Sequence, residues 1–178
     1  AESTGTLIRP GNLVQFDLWG KYPGGMYADI SWVGFTGETC PEDYADRFRL
    51  ICGARDLVVP AISAAFSSQK AITGADIDAL VRNFLTTQTE PGQIIDPAWI
   101  RHRTGHAIDH ECHGSGVNLD SVEFPDTRQI IEGSCFSIEP GIYCDRYGMR
   151  TEINAYVKNG IPVVSTVPVQ KTILLLQD

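Results

Sequence analysis

Strands at the front, two amphipathic helices in the middle and short strands thereafter predict an α+β fold with a largely antiparallel sheet. Three observations carry that prediction. A bulky, β-prone run at residues 13–19 and a loosely alternating run at 26–35 flank a turn rich in Gly and Pro. Apolar residues then recur at helical spacing between Tyr44 and Leu85. From Gln93 onward Gly, Pro and β-branched residues dominate. With 178 residues, 43% of them apolar and 20% charged, the chain supports a single domain over residues 1–178 with a sizeable core.

Each element has a local cause. Leu13-Val14-Gln15-Phe16-Asp17-Leu18-Trp19 and Met26–Phe35 are the arms of a hairpin, and the turn chemistry of Gly20–Gly25 joins them. Thr39-Cys40-Pro41-Glu42 has capping-box spacing with Pro in the first turn. Behind it, Tyr44, Phe48, Ile51, Val58, Ile62 and Phe66 trace one face of a long helix, kinked near Pro60, which has no N–H for the carbonyl of Asp56. Thr73-Gly74-Ala75-Asp76 starts a second helix with Ile77, Leu80, Val81, Phe84 and Leu85 on one face. Strands are expected around 103–109, 133–139, 150–157 and 162–175.

Fourteen basic against 22 acidic residues leave a net charge of −8, which disfavours nucleic acid and anionic membranes as partners. No stretch reaches the ~20 consecutive apolar residues of a bilayer span. The first residues, AESTGTLIRPGN, lack the basic start and apolar run of a signal peptide. Five cysteines without a C-x-x-C pair make a poor disulfide or structural zinc framework. They read as reduced thiols packed as small hydrophobes in a cytoplasmic protein.

All four histidines fall between His102 and His113. Arg103 occupies the place where a zincin helix needs Glu, and Gly105 disfavours a helix there. Around the cluster, Asp17, Asp29, Glu139 and Glu152 each interrupt an apolar, strand-like context. Carboxylates in buried strands are costly unless paired or metal-bound. Four of them with one imidazole form an oxygen-rich site suited to Mn, Co, Fe or Zn, and their charge balances two divalent ions.

The segments Val14-Gln-Phe-Asp17, Tyr27-Ala-Asp29-Ile, Arg103-Thr-Gly-His106-Ala-Ile, Phe136-Ser-Ile-Glu139-Pro-Gly-Ile-Tyr and Gly148-Met-Arg150-Thr-Glu152 occur in this order. In them the chain resembles the creatinase/methionine aminopeptidase family of pita-bread metallopeptidases, most of all its Xaa-Pro dipeptidase (prolidase) and aminopeptidase P branch. The resemblance implies a curved, mostly antiparallel sheet with helices on its outer face. It implies five metal ligands, Asp17, Asp29, His106, Glu139 and Glu152, holding two divalent ions, Mn or Co before Zn or Fe. It further implies substrate contacts by His102, His113 and Arg150, with Glu139, His113 and His102 serving catalysis. The implied reaction is hydrolysis of Xaa-Pro dipeptides or N-terminal Xaa-Pro bonds by a metal-bridging hydroxide. His110 has no counterpart and reads as structural.

The chain departs from the family pattern at several points. Asp17 and Asp29 stand twelve residues apart, one more than usual. Ala107 and Asp109 replace glycines, Asp109 adding a carboxylate near the site, and Trp32 stands where many relatives carry Arg. The helices and the histidine that precede the first ligand in the family have no counterpart, so the chain reads as the C-terminal portion of a prolidase-like protein. That leads to an expected homodimer or higher oligomer. The alternatives are a non-catalytic pita-bread binding module completed by a partner chain, and a lyase or other hydrolase on the same fold.

Overall fold

The computed structural model describes residues 5–87 and 94–176, and it opens with the hairpin that the alternating runs imply. Strands β1 (Leu13–Gly20) and β2 (Ala28–Phe35) pair antiparallel, with Asp17 opposite Ser31 and Trp19 opposite Asp29. Because side chains alternate across a strand, Asp17, Trp19, Asp29 and Ser31 share one face. Phe16, Leu18, Ile30 and Trp32 share the other.

Helices α1 (Glu42–Asp56) and α2 (Val58–Ser67) are separated by Leu57 alone. The break lies where the missing N–H of Pro60 leaves Asp56 without its helical partner. The capping box at Thr39 does not form. Pro41 is itself the N-cap, extended at φ −55° and ψ 139°, so the helix starts two residues later than the Thr39 spacing requires. The stretch from Glu42 to Ser67 has the length and mean hydropathy (1.4) of a span, yet it holds no run of ~20 apolar residues and is divided at Leu57. Its apolar face is spent in the core, where Phe48, Ile51, Val58 and Ile62 are at most 1% exposed. Helix α3 (Gly74–Thr87) is capped as expected. Thr73 Oγ accepts from the Asp76 N–H at 3.1 Å, and the Asp76 carboxylate accepts from the Thr73 N–H at 2.9 Å.

The remaining strands are short: β3 (Cys135–Ile138), β4 (Gly141–Tyr143), β5 (Gly148–Arg150), β6 (Ile153–Lys158), β7 (Ile161–Val164) and β8 (Leu174–Leu175). They form the sheets β1-β2-β8, β3-β6-β7 and β4-β5, antiparallel except for the β2–β8 pair. Residues 103–109, expected as a strand, make only single bridges, Gly105 to Leu119 and Ala107 to Phe136. The expected strand at 162–175 divides into β7 and β8, whereas the β4–β5 hairpin goes beyond the sequence reading. One core joins Phe48, Ile51, Val58, Ile62, Ile77, Val81 and Leu85 of the helices to Val33, Phe136, Ile138, Ile142, Met149 and Ile153 of the sheets. A Ser31–Glu152 bridge ties the chain after β5 to β2, bringing residues 121 positions apart to one place.

Candidate metal centre

Three backbone devices converge on one cavity of about 480 Å³. The hairpin supplies Asp17 and Asp29 from a single face. Asn154 of β6 fixes the second of these by bonding its backbone twice: its Oδ1 accepts from the Asp29 N–H at 2.8 Å and its Nδ2 donates to the Asp29 carbonyl at 2.6 Å. The segment 104–106 lies along β3, where the Ser137 N–H donates to the His106 carbonyl at 2.8 Å and the Glu139 N–H to the Thr104 carbonyl at 2.7 Å. Such proximity demands Gly105, since a Cβ there would stand 2.0 Å from the Ser137 carbonyl oxygen. Glu152 is held by its N–H, which donates to the Ser31 carbonyl at 3.1 Å, and by the Ser31 hydroxyl, which donates to its Oε2 at 2.7 Å.

Behind His102–His106 lies a carboxylate that no sequence pattern singles out. Asp78 on α3 is fully buried. Its Oδ1 accepts from the Thr104 N–H (2.9 Å) and hydroxyl (2.6 Å), and its Oδ2 from the Ser121 N–H (2.8 Å), the Ser121 hydroxyl (2.6 Å) and Arg82 Nε (2.7 Å). Asp120 and Asp126 brace the following loop in the same way, Asp126 accepting from the Asn118 N–H at 2.8 Å. Asn118 Oδ1 in turn accepts from the Ala107 N–H at 3.0 Å.

The cavity is lined by Asp17, Trp19, Asp29, His106, Cys112, His113, Glu139, Arg150 and Glu152. His106 Nε2 stands 3.5 Å from both Asp29 Oδ2 and Glu139 Oε1. The His113 ring meets the His106 ring edge to face, with centroids 4.4 Å apart. Arg150 donates to Asp17 Oδ2 at 2.5 Å and to the Ser31 hydroxyl, and stands 3.6 Å from Glu139 and 4.0 Å from Glu152. His102 lies outside this lining. Its Nε2 meets the Tyr143 hydroxyl at 2.9 Å and its Nδ1 the Arg103 carbonyl at 2.7 Å. His110 is exposed and contacts the Gly25 carbonyl through Nδ1 at 3.3 Å.

Asp109 is not part of the cavity either. Its carboxylate accepts from the N–H groups of Glu111 (2.7 Å) and Ser115 (2.9 Å), closing a turn instead of facing the site. Ala107 is free of positive φ, so it replaces glycine there without strain.

Charge in the cavity is unbalanced: four carboxylates face one guanidinium. Burial, then the neighbouring Glu139 and Asp29 carboxylates, push the Glu152 carboxyl up to about 8. Burial also pushes Asp29 up, but hydrogen bonds from His106 and Cys112 outweigh it and hold that carboxyl below its ordinary value. For His106, burial favours the neutral ring, whereas Asp29, the Ala107 carbonyl and the two glutamates prevail and raise its pKa. Among the described residues Asp29 Oδ1 and Glu152 Oε1 are buried without a hydrogen-bond partner. Unpaired buried carboxylate oxygens are costly, and a cation supplies what they lack. Asp29, His106 and Glu152 each turn one ligand atom to within 4.8 Å of the others, so the donor set fits a metal ion. Sequence reasoning had not found Ser31, Ser137, Asn154, Asp78 or Tyr143. Ser31 alone carried a signal, two residues from Asp29 on the same strand face.

The chain is 32% identical over 147 residues to an Xaa-Pro dipeptidase of Lactobacillus delbrueckii subsp. lactis, covering 82% of this chain and 35% of that one. The crystal structure of dipeptidase PepE from Mycobacterium ulcerans superposes with a TM-score of 0.77 at 24% identity, over 96% of this chain and 42% of that one. An Xaa-Pro dipeptidase from Bacillus anthracis superposes at 0.74 with 25% identity, over 96% and 43%. The expected pita-bread fold is therefore met, and the chain spans about a third to two-fifths of the length of these relatives. A family model described as metallopeptidase family M24 matches residues 1–159. The matched stretch contains every carboxylate and imidazole that lines the cavity, so the chain belongs to metallopeptidase family M24.

Proposed function

We propose that this chain carries the dinuclear metal centre of an Xaa-Pro peptidase of the dipeptidase or aminopeptidase P type. The observation that carries the reading is the cavity lined by Asp17, Asp29, His106, Glu139 and Glu152, with two buried carboxylate oxygens that lack a partner among the described residues. These five residues would hold two divalent ions, Mn or Co before Zn or Fe. When bound, such ions supply Lewis acidity toward a peptide carbonyl and make water nucleophilic near neutral pH.

The rest is the work of the chain's own residues. Glu139, anchored by its N–H to Thr104 and by the Ser137 hydroxyl at 3.2 Å, accepts a proton at Oε1 or Oε2 and delivers it to the leaving amine. His113, stacked edge-on against His106 at the cavity wall, orients the substrate and donates to the developing oxyanion. Arg150 offers its guanidinium to a substrate carboxylate or carbonyl while holding Asp17 in place. His102, hydrogen-bonded to Tyr143, reaches substrate from outside the lining residues. The five cysteines, all free, fit a reducing cytoplasmic setting.

Self-association belongs to the same proposal. Strand β1 is the outer strand of its sheet, and its outward face presents Leu18 at 61% and Phe16 at 39% exposure beside Leu174. A second copy across a two-fold axis would pair edge with edge and cover that apolar face. Sedimentation at micromolar concentration should give a dimer or larger species, and a stable monomer would remove this part of the proposal.

Activity is tested by supplying Mn or Co and comparing Xaa-Pro dipeptides with dipeptides lacking proline. Faster turnover of the Xaa-Pro substrates is expected. Full metal occupancy with no peptide turnover would favour the alternative, a binding module that uses the same apolar face.

A further inference from the structure

We infer that the Cys112 thiol is an additional donor to the metal centre, giving an otherwise hard oxygen-and-nitrogen site one soft ligand and a preference for thiophilic divalent ions. The inference rests on the metal-centre reading above and goes beyond the five-residue ligand set.

Cys112 Sγ stands 3.1 Å from Asp29 Oδ2 and lines the same cavity as Asp29, His106 and Glu152. Two donors on one ion, with bonds of about 2.0 Å to oxygen and about 2.3 Å to sulfur, lie roughly 3.0–3.5 Å apart across right-angled or tetrahedral geometry. The 3.1 Å contact, here a hydrogen bond from the thiol to the Asp29 carboxylate, has the spacing of adjacent donors on one ion. A separate observation calls for a cation beside the thiol. Asp29 and Glu152, which line the same cavity, are 6% and 1% exposed, and among the described residues Asp29 Oδ1 and Glu152 Oε1 have no hydrogen-bond partner.

The backbone that presents the thiol is built for the purpose. Asp109 closes the turn through the N–H groups of Glu111 and Ser115, and the Gly114 N–H donates to the Ala107 carbonyl at 2.7 Å. A Cβ at Gly114 would fall 2.7 Å from Asp109 Cγ, so the loop folds this tightly only with glycine. The result is that residues 112 and 113 are pressed side by side against the wall where Asp29 and His106 stand. Among the five cysteines, Cys112 alone lines this cavity.

Coordination forms a metal–sulfur bond as the S–H bond breaks and its proton passes to solvent, with no change of oxidation state. Sulfur ligation favours Co over Mn among the ions proposed above, and it makes Cd a sensitive probe of the thiolate.

The test is the absorption spectrum of the 178-residue chain titrated with Co²⁺, beside Cys112→Ser and Cys112→Ala. Visible d–d bands report that cobalt is bound. A near-ultraviolet sulfur-to-cobalt charge-transfer band reports the thiolate. We expect both in the wild-type chain, and the d–d bands without the charge-transfer band in either variant. Competition between Cd²⁺ and Mn²⁺ reads the preference independently, and the Cd-to-Mn affinity ratio should fall by about tenfold or more in the variants. Cobalt d–d bands without charge transfer in the wild-type chain, or an equal charge-transfer band in the variants, would overturn the role of Cys112 and leave the metal centre standing. A wild-type chain that retains no cobalt would overturn the metal centre and this inference together.

Discussion

Replacing Asp78 with Ala should unfold the support of the metal centre without touching a ligand. The carboxylate is fully buried and accepts five hydrogen bonds, among them two backbone N–H groups and the Arg82 guanidinium. Its loss leaves the Thr104 and Ser121 N–H groups without acceptors and Arg82 without its counter-charge, though Arg82 still donates to the His102 carbonyl at 2.8 Å. Breaking one partner of a buried charged pair costs about 3–5 kcal/mol, and the five bonds do not add independently. For a chain of this size that corresponds to about 6–20 °C in melting temperature. Asp78→Asn should be nearly as costly, because one side of the amide then turns donors toward donors. Thr104 hangs from Asp78 and lies two residues from His106, so metal affinity should fall as well. Urea unfolding with metal titration on the same samples reads both effects. A loss under ~1 kcal/mol, the range of an exposed ion pair, would refute the claim that this carboxylate anchors the 102–106 segment.

Three further outcomes follow from the same contacts. Glu139→Gln should cut peptide turnover by about two orders of magnitude or more, since it removes a ligand charge and a proton acceptor, and steady-state kinetics on an Xaa-Pro dipeptide checks it. Asp126 is held down to about 2, first by the Arg128 side chain and then by the N–H groups of Asn118 and Arg128. A lowered folded-state pKa contributes stability that is present above the unfolded value of 3.8 and lost as pH falls through about 2. Acid unfolding of the wild-type chain should therefore lose about 1–2 kcal/mol across that window, and Asp126→Asn should flatten it. Ser31→Ala removes the hydroxyl shared by Glu152 and Arg150, and metal affinity measured by calorimetry should fall about tenfold with little change in fold.

Much of this arrangement was legible in the sequence, for physical reasons specific to each element. The hairpin announced itself because bulky β-prone residues flank a glycine-rich turn, and the period of two then put Asp17 and Asp29 on one face. The helices were visible because long apolar faces repeat every three or four residues, and the break at Leu57 follows from Pro60. The β4–β5 hairpin was hidden because three-residue strands are too short to carry a period. Residues 103–109 misled because their extended backbone is bonded on both sides by loops and single bridges, not by a neighbouring strand. Along α3 the one basic residue near Asp78 is Arg82, four positions on, which by itself suggests no more than an ordinary helical pair. Only the approach of Thr104 and Ser121, distant in sequence, makes Asp78 a buried anchor. Cys112 read as a packing residue, and its place beside Asp29 depends on a loop closed by Asp109 and Gly114, whose geometry no local pattern encodes.

The central claim is that buried carboxylates around His106 hold metal, and metal content per chain tests it most directly. Purified chain equilibrated with Mn or Co and freed of excess should retain about two ions, the number proposed for the five-residue ligand set. Asp29→Ala, which removes an orphaned oxygen and the contact to His106, should lose most of that capacity while keeping its helical signal. Equal metal content in the wild-type chain and Asp29→Ala would contradict the account.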